Sequence, residues 1–291
     1  MGRPARVIAE NIYFGECPRW REGRLWFSDF FAHAVKSVSL AGDVRTELEM
    51  DDQPGGLGWM PDGSLLIVSM EKQTVVRRWR DGRVTVHAQL PKTGFRSNDM
   101  VVDGAGNAYV GSFGFDLHGE MLARGVESVV ADHPTAEIVR VSAGGEVLVV
   151  AEGMHFPNGS VITADGLTLI VAETLGGVLT AFDIGADGRL SGRRVWATLW
   201  PRVADGIALN AEGNLWVAHP LAPECFLVAP GGEVLEVIDT GQICYACMLG
   251  GDDGRTLWML TAPTSLAPEP GAAPAGKLLA ASVDVPRAGW P

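Results

Sequence analysis

One pattern recurs six times along the chain: a short apolar run, a turn built on Asp-Gly, Glu-Gly or Ala-Gly, and a second apolar run. Trp20-Arg21-Glu22-Gly23-Arg24-Leu25-Trp26-Phe27 opens the series and Leu249-Gly250-Gly251-Asp252-Asp253-Gly254-Arg255-Thr256-Leu257-Trp258-Met259 closes it. The turn glycines stand at 23, 63, 106, 166, 213 and 254, at intervals of 40, 43, 60, 47 and 41 residues. Two strands around a turn that needs positive φ make a hairpin. A second hairpin fits into each interval, as at Val75-Val76-Arg77-Arg78-Trp79 before Asp81-Gly82. Two hairpins in roughly 40 residues give one four-stranded propeller blade. No stretch keeps a clean 3.6-residue period for more than a few turns, so helices are a poor alternative. The sequence therefore predicts an all-β fold, a six-bladed β-propeller of four-stranded antiparallel blades, as a single domain over residues 1–291. The long interval holds residues 116–137, with His118 and His133, read as a loop insertion that is either a plain surface loop or a lid over one mouth.

Charge and composition narrow the function. Acidic residues exceed basic ones by 12, which disfavours nucleic acid and anionic membrane as partners and suits a chain that attracts cations. The longest apolar runs fall far short of a membrane span. No leader is legible in the opening residues, and four cysteines (Cys17, Cys225, Cys244, Cys247) are too few to staple a chain of 291 residues. A reducing cytoplasm is the expected location, and no protein partner is evident.

The repeat allows one position to be compared across blades. Seven or eight residues before each turn glycine stand Glu16, Gly56, Asn98, Asn158, Asp205 and Cys247. Equivalent places in a propeller surround a common axis, so two carboxylates and two carboxamides meet there. Asn and Asp also cap turns through their own backbone, which is the plain reading of any one of them. Four at one repeated position need a positive partner. Oxygen donors alone favour a divalent cation, Ca²⁺ first, with Mg²⁺, Mn²⁺ or Zn²⁺ as alternatives; the absence of His and Cys argues against structural zinc. Four protein ligands leave coordination positions for water and substrate.

The same segments carry a resemblance. Gly15-Glu16-Cys17-Pro18-Arg19-Trp20, Arg96-Ser97-Asn98-Asp99, Phe156-Pro157-Asn158-Gly159 and Ala204-Asp205-Gly206-Ile207-Ala208 resemble, in order, motifs of the senescence marker protein, gluconolactonase and luciferin-regenerating enzyme family. The resemblance runs nearly the full length, down to Cys247-Met248-Leu249-Gly250-Gly251. It implies one divalent metal on the axis of a six-bladed propeller, held by Glu16, Asn158 and Asp205. Asn98 matches a residue that binds metal or substrate, and Arg96 one that contacts substrate in sugar-lactone members. Most members are lactonases; close cousins hydrolyse organophosphates, and some plant relatives are condensing enzymes. Two departures spare the ligands: Cys17 replaces a usual glycine and Ser160 a usual leucine. A third bears on substrate, because Gly111-Ser112-Phe113-Gly114-Phe115-Asp116 is less polar than its counterpart in sugar-lactone relatives.

These readings converge on a metal-dependent lactonase acting on a small-molecule lactone, with Asp205 as general base and Arg96 and Asn98 steadying the reacting oxygens. His155, beside Phe156-Pro157-Asn158, is a further substrate-contact candidate. Phe14, Trp59, Phe113, Phe115, Phe156, Trp200 and Tyr245 are placed near the same mouth, with part of them packing between blades. An apolar pocket favours an alkyl or aryl lactone over a sugar lactone, and Trp59 and Phe113 are the substrate-binding aromatics named from it. The rivals are a phosphotriesterase on the same metal cage and a non-catalytic metal- or ligand-binding propeller. No G-x-S-x-G, H-E-x-x-H or Walker loop supports another hydrolase class.

Overall fold

The glycines of the repeat turns at 23, 63, 106, 166, 213 and 254 all lie at positive φ, between 73° and 85°. Each turns a strand back on its predecessor, and in the computed structural model, which describes residues 3–92 and 95–290, the strands assemble into six four-stranded antiparallel sheets. The inner strands of blades 1 to 6 are Gly15–Arg21, Pro54–Trp59, Ser97–Val102, Pro157–Ile162, Ile207–Leu209 and Ile243–Gly250. Each inner strand touches the next, and the contact of Ile243–Gly250 with Gly15–Arg21 closes the ring.

The closure has a feature the repeat does not show. The outer strand of blade 6 is Arg6–Ile12, which pairs antiparallel with Gly276–Ser282, so the two ends of the chain share one sheet. A strand whose partner is almost a chain length away leaves no hairpin signal in the sequence.

Apolar side chains from neighbouring blades fill the gaps between them. Trp20 of blade 1 stacks on Trp258 of blade 6 at 5.5 Å. Blades 2 and 3 meet more closely: a Cβ at Gly56 would stand 2.3 Å from the Met100 amide nitrogen. Fully buried residues such as Leu57, Ile67 and Phe226 each contribute roughly 1.5–3 kcal/mol through loss of water contact.

The 116–137 insertion is not an irregular loop. It forms two short helices, α1 (Leu117–Arg124) and α2 (Val126–Ala131). Asp116 caps α1 by accepting from the Gly119 amide at 3.0 Å, and Glu120 pairs with Arg124 at 2.7 Å one turn on. Helices this short are not stable alone. Leu117 and Val129 anchor them by packing on Phe115, Phe156 and Leu175. Among the described residues no helix is long and apolar enough to cross a membrane.

Candidate metal centre

The repeated axial position lies at a register slip in four of the six blades, and blade 6 slips a little before its own axial residue, Cys247, which pairs with Met259. Inner strands slip register against their neighbours between Glu16 and Arg19, Pro54 and Leu57, Ser97 and Met100, Pro157 and Ser160, and Cys244 and Ala246. A bulge leaves a residue out of the ladder and re-aims its side chain. Asn98 and Asn158 lie within these slips, and Glu16, paired with Ser28, borders the one in blade 1. In blade 5 the strand begins later, at Ile207, and Asp205 precedes it with its amide donating to the Ala218 carbonyl at 3.0 Å.

All four side chains are buried, between 5% and 9% exposed, and line one cavity. The Glu16 Oε2 accepts from the Cys17 amide at 3.0 Å, a bond made possible by the left-handed backbone of Cys17 at φ 52°. Asn98 donates from Nδ2 to Asn158 Oδ1 at 3.3 Å, and Asn158 donates to Thr174 Oγ1 at 3.3 Å. Thr174 in turn donates to the Ala204 carbonyl at 2.7 Å, tying blade 4 to the segment that carries Asp205. No donor among the described residues is hydrogen-bonded to the Asp205 carboxylate.

Electrostatics make this arrangement costly as it stands. Burial pushes the Glu16 carboxyl up to about 8, with repulsion from Asp99 adding to it. Burial, then the charges of Glu16 and Asp99, raise Asp205 well above the usual carboxylate range. Two buried carboxylates without a basic partner hold protons unless a cation joins them. Arg19, buried nearby, pairs with Asp99 at 2.9 Å instead. Among the described residues no three His, Cys, Asp or Glu side chains form a metal-binding group, so amides must share any ligation with carboxylates. An all-oxygen set of two carboxylates and two carboxamides fits a hard divalent cation.

Above this polar floor rises a cavity of about 520 Å³. Eight aromatic side chains line it: Phe14, Phe30, Phe31, Phe95, Phe113, Phe156, Trp200 and Tyr245. Arg96 lines it too, with its guanidinium already engaged by Gln53 at 2.9 Å and Glu71 at 2.7 Å. Three sequence-based placements are corrected here. Trp59 ends the blade 2 inner strand at the turn side, paired with Leu65, and lies edge-on to Trp26 at 5.3 Å, outside the cavity. Phe115 is buried beneath the helices of the insertion and does not line it. His155 faces the other way from its neighbour: Phe156 turns through φ 60° into the cavity, while the His155 ring meets His133 at 3.0 Å. That histidine pair belongs to a second, more open cavity of about 650 Å³ with Glu173 and Arg193.

The 116–137 insertion, read from the sequence as a surface loop or a lid, is placed over the cavity, but the residues that line it were not named from the sequence. Leu117, His118, Met121, Val126 and Val130 of the insertion line the cavity, as do Ser265 and Leu266 from the loop between Thr256–Ala262 and Gly276–Ser282. The two segments come from blades 3 and 6, which stand opposite one another in the ring, and they meet where His118 Nε2 lies 3.2 Å from Ser265 Oγ. Burial lowers the His118 pKa, favouring the neutral ring. Recurrence of apolar residues at 117 and 121, and again at 126 and 130, was the available signal, four residues apart each time.

A family model described as the SMP-30/Gluconolactonase/LRE-like region matches residues 14–263. Regucalcin of Xenopus laevis is 23% identical over 265 residues, covering 88% of this chain and 85% of that protein. A pentonolactonase of Haloferax volcanii is 26% identical over 222 residues, covering 74% of this chain and 69% of its own length. Among solved structures, a calcium-binding protein, regucalcin, of Agrobacterium tumefaciens superposes with a TM-score of 0.81 at 21% identity, covering 100% of this chain and 97% of that one.

Proposed function

The chain belongs to the SMP-30/Gluconolactonase/LRE-like family, and from that premise we propose that it is a divalent-metal-dependent lactonase whose substrates are alkyl or aryl lactones. The observation that carries this reading is the floor itself: Glu16, Asp205, Asn98 and Asn158 buried together beneath an aromatic cavity. The names of its relatives support the reaction class, since a pentonolactonase and a gluconolactonase are among them.

Glu16, Asn158 and Asp205 would hold the cation, with Asn98 beside them. The cation supplies Lewis acidity toward the lactone carbonyl oxygen. Ca²⁺ is the first choice, a choice supported by oxygen-only donors and by a structural relative described as calcium-binding. Asp205 takes a proton from the attacking water as the new C–O bond forms at the carbonyl carbon. The ring C–O bond then breaks, and the departing alkoxide takes that proton, leaving a hydroxy acid. Arg96, at the cavity wall, orients the reacting oxygens. The insertion at 116–137 acts as a lid that excludes bulk water. Four buried, unpaired cysteines support the cytoplasmic reading.

The walls support the narrower substrate class. Each sugar hydroxyl buried without a partner among eight aromatic rings would cost on the order of 1–3 kcal/mol. A panel of γ- and δ-lactones, aryl lactones and gluconolactone, assayed on metal-stripped and metal-restored protein, tests both levels. Activity returning only with metal, and kcat/KM at least roughly tenfold higher for the apolar lactones, is the expected result. Preference for gluconolactone would overturn the substrate class. Hydrolysis of a phosphotriester but of no lactone would replace the reaction.

A further inference from the structure

Helix α2 borders two cavities. Val130 lines the aromatic one and also the second, of about 650 Å³, whose lining includes His133, His155, Glu173 and Arg193. The two histidines come from separate parts of the fold. His133 follows α2 in the insertion, and His155 stands two residues before the inner strand of blade 4. Both are half-buried, and His133 Nε2 lies 3.0 Å from His155 Nδ1. Their rings stand at 77° with centroids 5.1 Å apart, so they meet through these nitrogens and not by stacking.

Each histidine is held in place. His133 Nδ1 lies 2.8 Å from the Val129 carbonyl, which can only accept, so that nitrogen carries the ring proton and Nε2 of the neutral ring keeps a lone pair. Metal-binding histidines are oriented in this way, one ring nitrogen donating to a carbonyl and the other free to ligate. The His155 amide donates to Glu173 Oε2 at 2.7 Å. Glu173, itself buried, also accepts from Thr180 Oγ1 and from Arg193 Nη2 at 3.0 Å, so its carboxylate is spent on fixing the backbone. The other charges at the cavity are paired as well, Arg194 with Asp183 at 2.8 Å and Asp132 with Arg124 at 3.6 Å. What the cavity presents is two converging imidazole nitrogens. On one tetrahedral ion, at about 2.0–2.1 Å each, two such nitrogens stand roughly 3.3 Å apart, so a shift of a few tenths of an ångström brings this pair to chelating geometry.

We propose that His133 and His155 form a second divalent-metal site, selective for ions that take nitrogen donors, such as Zn²⁺, Ni²⁺ or Cu²⁺, with water in the remaining positions. His155 ligates through Nδ1 and carries its ring proton on Nε2, so the neutral pair releases no proton. The ion clips the insertion to blade 4 beside Phe156, which lines the aromatic cavity. Donor chemistry keeps the two sites apart: the axial one offers oxygens, which suit Ca²⁺, and this one offers nitrogens, which Ca²⁺ takes poorly. The inference goes beyond the lactonase reading and stands without it.

Untagged protein in excess Ca²⁺, titrated calorimetrically with Zn²⁺ beside His133→Gln and His155→Gln, tests the site, with Cu²⁺-loaded samples read by electron paramagnetic resonance. Wild type should bind a Zn²⁺ ion that each variant weakens at least about tenfold. Its Cu²⁺ spectrum should show splitting from a pair of imidazole nitrogens, reduced to a single nitrogen in each variant. Zn²⁺ should also raise the Tm of the wild type and not of the variants. If His155→Gln does not fold, because it adjoins the turn at Phe156, His133→Gln and the wild-type spectrum decide alone. Zn²⁺ affinity unchanged in His133→Gln, or a Cu²⁺ spectrum with oxygen donors only, overturns the site and leaves the pair a plain hydrogen bond between the insertion and blade 4.

Discussion

The floor and the roof of the cavity are built by opposite rules. The floor is repetition: Glu16, Asn98, Asn158 and Asp205 occupy one place in blades 1, 3, 4 and 5, all buried, the first three at register slips of the inner strands. The roof is exception: α1, α2 and the facing loop have no counterpart in other blades. Its residues are mostly apolar and in part exposed, with Leu122 at 79% and Leu266 at 44%. Repetition can gather like groups on an axis, which is what a cation needs. It cannot shape a pocket for one substrate, because six equal blades give a symmetric funnel. On the proposed function, chemistry belongs to the floor and selectivity to the roof, and each should yield to perturbation without the other.

The largest effect is expected at the floor. Asp205→Asn keeps the shape and an oxygen donor but removes the proposed base, and turnover should fall by roughly 10²-fold or more. Metal occupancy measured on the same samples separates lost basicity from lost metal. Full activity at full occupancy would move the base elsewhere.

A smaller effect, of the other kind, is expected at the roof. Met121→Ala removes apolar contact worth about 0.8 kcal/mol per methylene, so KM for an alkyl lactone should rise by roughly tenfold. Ca²⁺ affinity should stay within about twofold, since Met121 belongs to the insertion and packs against its apolar cluster. A variant that weakened metal binding as much as KM would erase the division between floor and roof.

The smallest effect is a stability shift that depends on pH. Without a cation, Glu16 in the folded protein titrates near 8 rather than its ordinary 4.5. A raised folded value means the metal-free fold loses stability as pH rises from about 4.5 through about 8. Asp205 is raised by the same burial and acts in the same direction. A bound cation cancels this loss, so the Tm gain on adding Ca²⁺ should grow between pH 5.5 and 8. Melts with chelator and with Ca²⁺ at the two pH values measure it; a gain independent of pH would show that the carboxylates are not buried against each other as described.

Much of the floor was legible because the repeat carries its own ruler. Turn glycines mark each blade, and counting back from them finds Glu16, Asn98, Asn158 and Asp205. Counting does not reveal which way a side chain leaves a bulge, so His155 was assigned to the cavity that Phe156 occupies. Trp59 failed for a related reason: proximity to a repeat motif does not say which end of the strand a residue is on. Arg19 stands within the first motif, but its partner Asp99 lies two blades away and no local pattern joins them. The insertion was legible as a surface loop or a lid, but its helices were hidden by their length, since eight and six residues give too few turns for a period to stand out. Arg6–Ile12 was hidden by topology, because its partner strand lies at the other end of the chain.

The central claim is that repetition has placed one cation site on the propeller axis. Calorimetric titration of metal-stripped wild type and Asp205→Ala with Ca²⁺ tests it directly, with circular dichroism showing that both are folded. The expected result is one site in the wild type and its loss in Asp205→Ala. Equal binding by the two proteins would contradict the claim.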